Sequence, residues 1–355
     1  MNYNKLLYNK IIIDDLKFIH KYHQNKKLYK NKTILITGNK GFIGTYLSLY
    51  FINFFKTLDL KKIIFIDTEN QNETKNKKLI FLKKDVTKSK KIIYKYKPDI
   101  IIHAATFASP VAYRKKPIET AMANVDGLKV ILEYATKKQI KILFFSTSEI
   151  YGNPDKENIP TEENYNGNVS CIGPRACYDE SKRFCETLTY IYSKKYKLNI
   201  NVVRPFNNFG PGLKLSDGRL PSDMASSAIE EKKFIIYSNG KPTRTFCYIA
   251  DAVIGYLNSL NLNGFNILNI GNPNNEVSVY KFTKIFSKCV KKEYKKLLKI
   301  EFKKNKDKNY LIHSPQRRCP NINLAKKLIN YKPMIDLENG IKRYLKYIKS
   351  VRNNE

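Results

Sequence analysis

Thr33-Ile-Leu-Ile-Thr-Gly38-Asn-Lys-Gly41-Phe-Ile-Gly44 is the stretch that decides the fold of this 355-residue chain. Its β-branched start predicts a strand, its glycines predict a turn, and the helical pattern of Thr45-Tyr-Leu-Ser-Leu-Tyr-Phe follows. A glycine turn between strand and helix lets the backbone approach a pyrophosphate, and the helix N-terminus attracts that anion. We therefore predict a dinucleotide site here. The expected contacts in the turn are Gly38, Gly41, Phe42, Ile43 and Gly44.

The next apolar run, Lys62-Ile-Ile-Phe-Ile-Asp67, ends in an acid at the distance where the ribose hydroxyls of a dinucleotide would lie. A carboxylate there repels the 2′-phosphate of NADP, and no Arg follows closely to attract it. Asp67 therefore predicts NAD as the cofactor, in preference to NADP.

Strand-like apolar runs alternate with helical patterns as far as about residue 205. The expected strands are 33–37, 62–66, 79–82, 99–103, 141–146 and 199–203. The expected helices are 42–56, 88–96, 117–137 and 176–196. This alternation predicts an α/β fold of the Rossmann type, with a doubly wound parallel sheet.

The pattern also divides the chain into parts. Residues 31–205 are the expected NAD-binding Rossmann domain, and 206–355 are a smaller, interrupted substrate-binding domain. A helix at 249–260 and a strand at 265–270 predict that the chain returns to the first domain near 249–271. Residues 1–30 form an N-terminal extension with one short amphipathic helix, which we expect to pack on the main domain or on a second subunit.

Composition excludes several classes of protein. A net charge of +34 would favour nucleic acid, but the basic residues are spread along the chain without an Arg-rich block, so we expect no specific nucleic-acid partner. The six cysteines lack metal-like spacing, which predicts no metal site and favours free thiols in the cytoplasm. No apolar run reaches 18 residues, so we expect no membrane span.

Cys171-Ile-Gly-Pro-Arg-Ala-Cys-Tyr-Asp-Glu-Ser-Lys182 places Tyr178 and Lys182 four residues apart, on one face of a helix. A phenol has a pKa of about 10, which a nearby ammonium lowers. The pair can then remove a proton from a sugar hydroxyl while a nicotinamide takes the hydride. Because Tyr and Lys are abundant here, the spacing alone favours an exposed helix face, and the other motifs of the chain reverse that interpretation.

Other local patterns occur in a fixed order along the chain. After the glycine turn and Asp67 come Lys84-Asp85-Val86, His103-Ala-Ala-Thr106, Ser146-Thr147-Ser148-Glu149-Ile-Tyr-Gly152 and the Tyr178/Lys182 pair. This order resembles the extended short-chain dehydrogenase/reductases that act on nucleotide sugars. The resemblance implies further NAD contacts at Asp85, Val86, Ala104, Ala105, Tyr178 and Lys182. It also implies a homodimer, formed through the helices near 117–137 and 176–196.

Within that superfamily, Gly173-Pro-Arg-Ala-Cys-Tyr-Asp-Glu resembles the active-site segment of the UDP-glucuronate decarboxylase family, which makes UDP-xylose. Ser148-Glu149 stands where 4,6-dehydratases carry an Asp-Glu pair and where epimerases usually lack an acid. A dehydratase needs a general acid to expel the 6-hydroxyl, a role that serine fills poorly.

The resemblance implies a role for each catalytic residue. Tyr178 takes the proton of the 4-hydroxyl, Lys182 holds the phenolate and the nicotinamide ribose, and Thr147 hydrogen-bonds the same hydroxyl. The resulting 4-keto acid loses carbon dioxide, and its pentose is then reduced or released as the 4-keto sugar. Glu149 and Arg244 match the groups that flank the substrate carboxylate. Glu149 would either destabilise that carboxylate or protonate carbon 5, and Arg244 would bind the carboxylate or the diphosphate.

The resemblance also implies contacts with the nucleotide sugar, which we expect to be UDP-linked. The expected residues are Tyr113, Ser148, Asn207, Tyr237, Arg244, Arg317 and Arg318. Tyr113 could equally be a packing residue, Asn207 could only shape a turn, and the two adjacent arginines could be solvated.

Two other functions remain open from the residues. One is a nucleotide-sugar 4-epimerase or 4,6-dehydratase, which Glu149 and Ser148 respectively disfavour. The other is a catalytically silent protein that binds NAD or nucleic acid. The presence of Thr147, Tyr178 and Lys182 argues against a silent protein.

Overall fold

The glycine-rich stretch lies at the centre of a seven-stranded parallel sheet in the structure, a computed structural model that describes residues 3–70, 75–304 and 315–352. The strands are β1 (Thr33–Thr37), β2 (Lys62–Asp67), β3 (Leu79–Lys83), β4 (Ile100–His103), β5 (Lys141–Phe145), β6 (Asn199–Pro205), β7 (Asn208–Phe209), β8 (Phe234–Ile236), β9 (Thr243–Thr245), β10 (Cys247–Tyr248), β11 (Phe265–Ile270), β12 (Glu276–Ser278), β13 (Ile300–Phe302) and β14 (Arg317–Arg318). The helices are α1 (Tyr3–Leu7), α2 (Lys10–Tyr22), α3 (Phe42–Asn53), α4 (Lys90–Tyr96), α5 (Pro110–Lys115), α6 (Pro117–Ala135), α7 (Ala176–Tyr196), α8 (Leu220–Ile229), α9 (Ile249–Ser259), α10 (Val279–Tyr294), α11 (Asn323–Ile329) and α12 (Leu337–Arg352).

The order of strands in the main sheet is β11-β6-β5-β4-β1-β2-β3, and neighbouring strands run parallel. Successive side chains of a strand point to opposite faces. In β1, Ile34 and Ile36 therefore join the core on the side of α3 and α9, while Leu35 joins the core beneath α4, α6 and α7. Helices thus cover both faces, and the expected doubly wound Rossmann-type fold is confirmed.

The six expected strands of the first part are present, with ends that move by one or two residues. The expected helix 42–56 ends earlier, at Asn53, because the chain must turn back into β2. That turn places Asp59 at a φ of +51°. β11 pairs with β6 at the edge of the main sheet, and α9 packs beside it. The domain boundaries at 31–205 and 206–355 stay a prediction.

Three small sheets lie outside the main one, with strand orders β12-β9-β14, β10-β7 and β13-β8. Their strands have only two or three residues each, too few to show an alternating pattern in the sequence. These sheets nevertheless matter for the site, because β9 and β14 carry two of its arginines.

The extension folds onto the main body of the same chain. Asn9 caps α2 by accepting a hydrogen bond of 3.1 Å from the Ile11 amide, and the α2 side chains Ile12, Leu16 and Ile19 are fully buried. The Asn9 side chain also donates a hydrogen bond of 2.8 Å to the Ser350 hydroxyl of α12. Asn9 therefore joins α2 to α12, the last helix of the described chain.

Asp15 is the polar centre of this contact, since it is 1% exposed. Its carboxylate accepts hydrogen bonds from the Tyr46 hydroxyl at 2.9 Å, the Tyr248 hydroxyl at 2.7 Å and the Arg343 guanidinium at 2.6 Å. One buried carboxylate therefore joins α2, α3, β10 and α12. We call Asp15 and these three partners the Asp15 cluster.

Among the described residues, no helix combines the length and the apolar character needed to cross a membrane. Nor do the described His, Cys, Asp and Glu side chains form a group that could hold a metal ion. All six cysteines are free thiols.

Candidate active site

A cavity of about 560 Å³ opens at the carboxyl ends of the central strands. The loops after β1, β4, β5 and β6 all contribute to its wall. The strand order reverses between β1 and β4, and in open parallel sheets this reversal creates the crevice that binds ligands. The fold therefore places a ligand site beside the glycine turn.

The glycine turn follows β1 and leaves no room for side chains. Gly38 has a φ of +73°, and a Cβ there would lie 2.6 Å from the Ala105 nitrogen. A Cβ at Gly44 would lie 2.0 Å from the Gly38 oxygen. Gly41 directly precedes α3, a 12-residue helix, so backbone amides face the cavity at its N-terminus. This cradle of bare backbone fits a dinucleotide pyrophosphate.

Asp67 ends β2 beside this turn. One carboxylate oxygen accepts a hydrogen bond of 2.8 Å from the Lys40 amide, and the other accepts one of 3.1 Å from the Glu69 amide. The carboxylate is thus fixed by the turn and by its own loop. Lys40 and Glu69 line the cavity, whereas Asp67 lies just behind them.

The other expected NAD contacts divide into two groups. Gly38, Gly41, Phe42, Ile43, Gly44, Ala104 and Tyr178 line the cavity. Asp85, Val86, Ala105 and Lys182 lie outside its lining. Asp85 instead accepts a hydrogen bond from the Thr87 amide at 2.9 Å and caps a short turn after β3.

Tyr178 and Lys182 lie on α7, and both are buried. The Tyr178 ring stacks on Tyr113, with centroids 5.3 Å apart, and the Lys182 ammonium donates to the Phe145 carbonyl at 2.8 Å. Burial raises the pKa of Tyr178 to about 12, although a hydrogen bond with the Thr147 hydroxyl acts to lower it. Burial also lowers the pKa of Lys182 to about 8. Desolvation is the largest influence on the pKa of Tyr178, and the cation that acts to lower this pKa is Arg219.

Glu149 lies between two guanidinium groups. Arg318 contacts both of its carboxylate oxygens, one of them at 2.8 Å, and Arg175 forms a second ion pair with it. Arg175 also donates to Asp179 at 3.3 Å. The carboxylate is thus held by charge-assisted hydrogen bonds in a largely buried position.

Arg244 lines the same cavity from β9. Burial, together with the charges of Arg318 and Arg175, lowers the pKa of Arg244 to about 9. The resemblance implies that Glu149 and Arg244 flank the substrate carboxylate, and both residues line the cavity. Arg175 and Arg318 are the groups that form ion pairs with Glu149. These three arginines make this wall of the cavity strongly attractive to anions.

Five of the seven expected substrate contacts line the cavity: Tyr113, Ser148, Asn207, Arg244 and Arg318. Tyr237 lines an adjoining cavity of about 490 Å³, which shares Asn207, Arg175 and Arg244 with the first. Arg317 lines neither cavity: its side chain is 46% exposed, and its guanidinium donates to Glu276 at 2.7 and 2.9 Å. The structure therefore separates the two adjacent arginines.

Residues 34–271 match the NAD dependent epimerase/dehydratase family, which is well over half of the chain. The chain belongs to this family. Its cofactor is therefore NAD, as Asp67 and the glycine turn predict.

The epimerase/dehydratase family has many functions, so individual relatives are informative. UDP-glucuronic acid decarboxylase 1 of Xenopus tropicalis is 33% identical over 341 residues, which are 94% of this chain and 76% of the relative. UDP-glucuronic acid decarboxylase 6 of Arabidopsis thaliana is 32% identical, over 90% of this chain and 89% of its own length. UDP-glucose 4-epimerase of Thermotoga maritima, solved with UDP-glucose, has a TM-score of 0.77 at 22% identity and covers 90% of this chain and 99% of its own. That likeness shows the fold.

Two arginines that line the cavity, Arg175 and Arg219, are not among the residues that the sequence predicts for the site. Arg175 precedes Tyr178 by three residues, which is nearly one helical turn, so its spacing was a usable signal. Arg219 lines both cavities and pairs with Asp217, and it directly precedes α8. Nothing in the local sequence distinguishes Arg219 from the other basic residues of the chain.

Proposed function

We propose that the protein is an NAD-dependent decarboxylase that converts UDP-glucuronate to UDP-xylose or to its 4-keto pentose. The observation that carries this proposal is the position of Glu149 between Arg175 and Arg318, in the cavity that holds Tyr178. A site that already pairs one carboxylate with two guanidinium groups suits a substrate that brings a second carboxylate. Ser148 beside it offers no acid for a dehydration.

The oxidation half uses the buried residues of α7 and β5. Bound NAD supplies the hydride acceptor for carbon 4 of the sugar. Tyr178 takes the proton of the 4-hydroxyl, and the Thr147 hydroxyl stabilises its phenolate form. Burial is the main reason that the pKa of Tyr178 is raised to about 12, so its phenolate needs further stabilisation by positive charge when substrate and NAD bind.

The decarboxylation half of the reaction uses the arginines that line the cavity near Glu149. In a 4-keto uronate the carboxylate is β to the ketone, so the bond to carbon dioxide breaks with its electrons passing into an enolate. Arg318 and Arg175 orient the substrate carboxylate, and Glu149 repels it or returns a proton to carbon 5. Arg244 and Arg219 line both cavities, and we assign them to the diphosphate.

The two parts of the chain supply different halves of this site. The proposed NAD-binding part at 31–205 provides the glycine turn and Tyr178. The proposed substrate-binding part at 206–355 provides Asn207, Arg244 and Arg318. We place the enzyme in the cytoplasm, since its six cysteines are free.

We also propose a homodimer. Exposed apolar side chains cluster on α6 and α7, which pack against each other on one side of the sheet. On α6, Ile118 is 75% exposed and Met122 is 51% exposed, and on α7 Phe184 and Ile191 are 50% and 48% exposed. These helices would bury such side chains against a second copy.

Incubation with UDP-glucuronate and NAD tests the proposal. We expect one carbon dioxide per sugar consumed, and UDP-xylose or the 4-keto pentose by NMR. The variant Tyr178→Phe is the control for chemistry at this site. Formation of UDP-galacturonate without carbon dioxide would overturn the decarboxylase and indicate a 4-epimerase.

A further inference from the structure

Tyr3, in the N-terminal extension, lies directly behind the glycine turn. It is 1% exposed, and its ring packs against Phe65 and Phe81 with centroids 6.4 and 5.8 Å away. Its hydroxyl donates to the main-chain oxygen of Asn39 and accepts a hydrogen bond of 2.9 Å from the Asn39 side chain. A residue from outside the Rossmann core thus binds the turn at two points.

Asn39 and Lys40 are the residues between the first two glycines of the turn, and they are 0% and 2% exposed. The Lys40 ammonium lies 4.6 Å from the centroid of the Tyr3 ring, a cation–π contact. The Lys40 amide donates to the Asp67 carboxylate at 2.8 Å. Tyr3 therefore contacts the peptide segment that holds Asp67 in place.

The rest of the extension keeps Tyr3 in position. Helix α2 is fixed by its buried apolar side chains and by the Asp15 cluster, in which Tyr46 belongs to α3 itself. The extension is thus attached both to the glycine turn and to the helix that follows it. A movement of the extension would be transmitted to both.

We propose that Tyr3 is a positioning residue for NAD, which fixes the Asn39–Lys40 peptide so that the Lys40 amide orients Asp67 toward the ribose. The inference rests on NAD binding by this family and holds whichever sugar is processed. Its failure would therefore leave the proposed decarboxylase untouched, and the reverse is also true.

Titration calorimetry of NAD into the full-length apoprotein tests this role, with Tyr3→Phe as the variant. Phenylalanine keeps the ring and removes only the hydroxyl, so the fold should persist. We expect the Kd for NAD to rise about three- to tenfold, because the two hydrogen bonds that hold Asn39 are lost. The Kd for NADP should change less, so the preference of the protein for NAD over NADP should become smaller. Tyr8→Phe is the matched control, because Tyr8 is 86% exposed.

A double-mutant cycle with Asp67→Asn distinguishes positioning from packing. If Tyr3 acts through Asp67, its loss should weaken NAD binding much less when Asp67 is already replaced. Fully additive effects would overturn the proposal. An unchanged Kd for NAD in Tyr3→Phe would overturn it too, even if the melting temperature falls, since that result makes Tyr3 a packing residue only.

Discussion

Glu149 is a carboxylate with arginines on two sides, and these charges determine how the site can bind a second carboxylate. Arg175 and Arg318 pair with it, and Arg244 lies close enough for their charges to lower its own pKa. An arriving substrate carboxylate would compete with Glu149 for the same guanidinium groups. Carbon dioxide is neutral, so its release ends that competition and returns the arginines to Glu149.

Arg317 and Arg318 provide a matched pair for testing this site, because they are adjacent but face different surroundings. Arg318→Ala should raise the KM for UDP-glucuronate about tenfold or more, since charge-assisted hydrogen bonds to the carboxylate are lost. Arg317→Ala should change it less than twofold, because that guanidinium is exposed and binds Glu276. Steady-state kinetics on both variants is the measurement. Equal losses in the two variants would contradict the assignment.

Tyr178 gives the second prediction at this scale. Tyr178→Phe should lower turnover by about 10²- to 10⁴-fold, the usual contribution of a general acid–base group, while NAD still binds. Tyr196→Phe, at the exposed end of the same helix, should be neutral. Rates of carbon dioxide release and NAD titration would be compared. Near-normal turnover of Tyr178→Phe would mean that its spacing from Lys182 reflects packing alone.

Sequence reasoning works for these residues where chemistry requires a fixed spacing. Thr147, Glu149 and Tyr178 fall in one cavity, as the motifs predict. The pairing of Arg318 with Glu149 could not be read in the same way, because Arg318 comes from β14, 169 residues away along the chain. Only the pairing of β14 with β9 brings Arg318 beside Arg244.

At the scale of elements, the long strands and helices can be predicted from local sequence, whereas the shortest strands cannot. The parallel strands are five or so residues of continuous apolar sequence, so the alternation of β1 to β6 with helices predicts the sheet. The strands β7 to β10 have only two or three residues each, and they form because of strand partners that the local sequence does not predict. Helix α2 is intermediate, because its apolar spacing predicts a helix but not which surface covers it.

Helix α2 ends beside a histidine with a strongly shifted pKa. Burial lowers the pKa of His23 to about 3, and its ring contacts the Tyr50 hydroxyl at 2.6 Å. Between pH 6.5 and 3 the unfolded chain therefore binds more protons than the folded one, so the free energy of unfolding falls as the pH falls. The expected slope is about 1.4 kcal/mol per pH unit from this imidazole.

The variant His23→Gln tests that slope, since glutamine can keep a hydrogen bond to Tyr50 without titrating. Urea denaturation at pH 7.5 and pH 5 should show a smaller loss of stability in the variant than in the parent. Buried His103 has a similarly lowered pKa of about 3, so some pH dependence should remain. Identical losses in variant and parent would show that His23 does not contribute.

At the scale of the whole molecule, charge and apolar surface are distributed differently. The residues that give the net charge of +34 are spread over the chain, whereas the positive charges that line the cavity come mainly from arginines. Anionic nucleotide sugars should therefore associate faster at low salt. Several exposed apolar side chains lie on α6 and α7, the face for which we propose a second copy.

Replacing one of those apolar side chains tests the dimer. Phe184→Glu places a charge in the proposed interface, where it would lack a partner, so the protein should run as a monomer in light scattering after size exclusion. Phe302→Glu is the control, because Phe302 is 49% exposed but lies on β13, away from α6 and α7. A parent protein that is monomeric, or a Phe184→Glu dimer, would contradict the proposal.

The Asp15 cluster also has a consequence for how the chain is made. Arg343 and Asp15 are 328 residues apart, yet they share one buried hydrogen-bond network. During synthesis on the ribosome, α2 emerges long before α12, so the Asp15 carboxylate lacks its cationic partner until α12 has left the exit tunnel. The extension therefore cannot complete this network until α12 has been made and released, so we expect its docking to be a late step of folding.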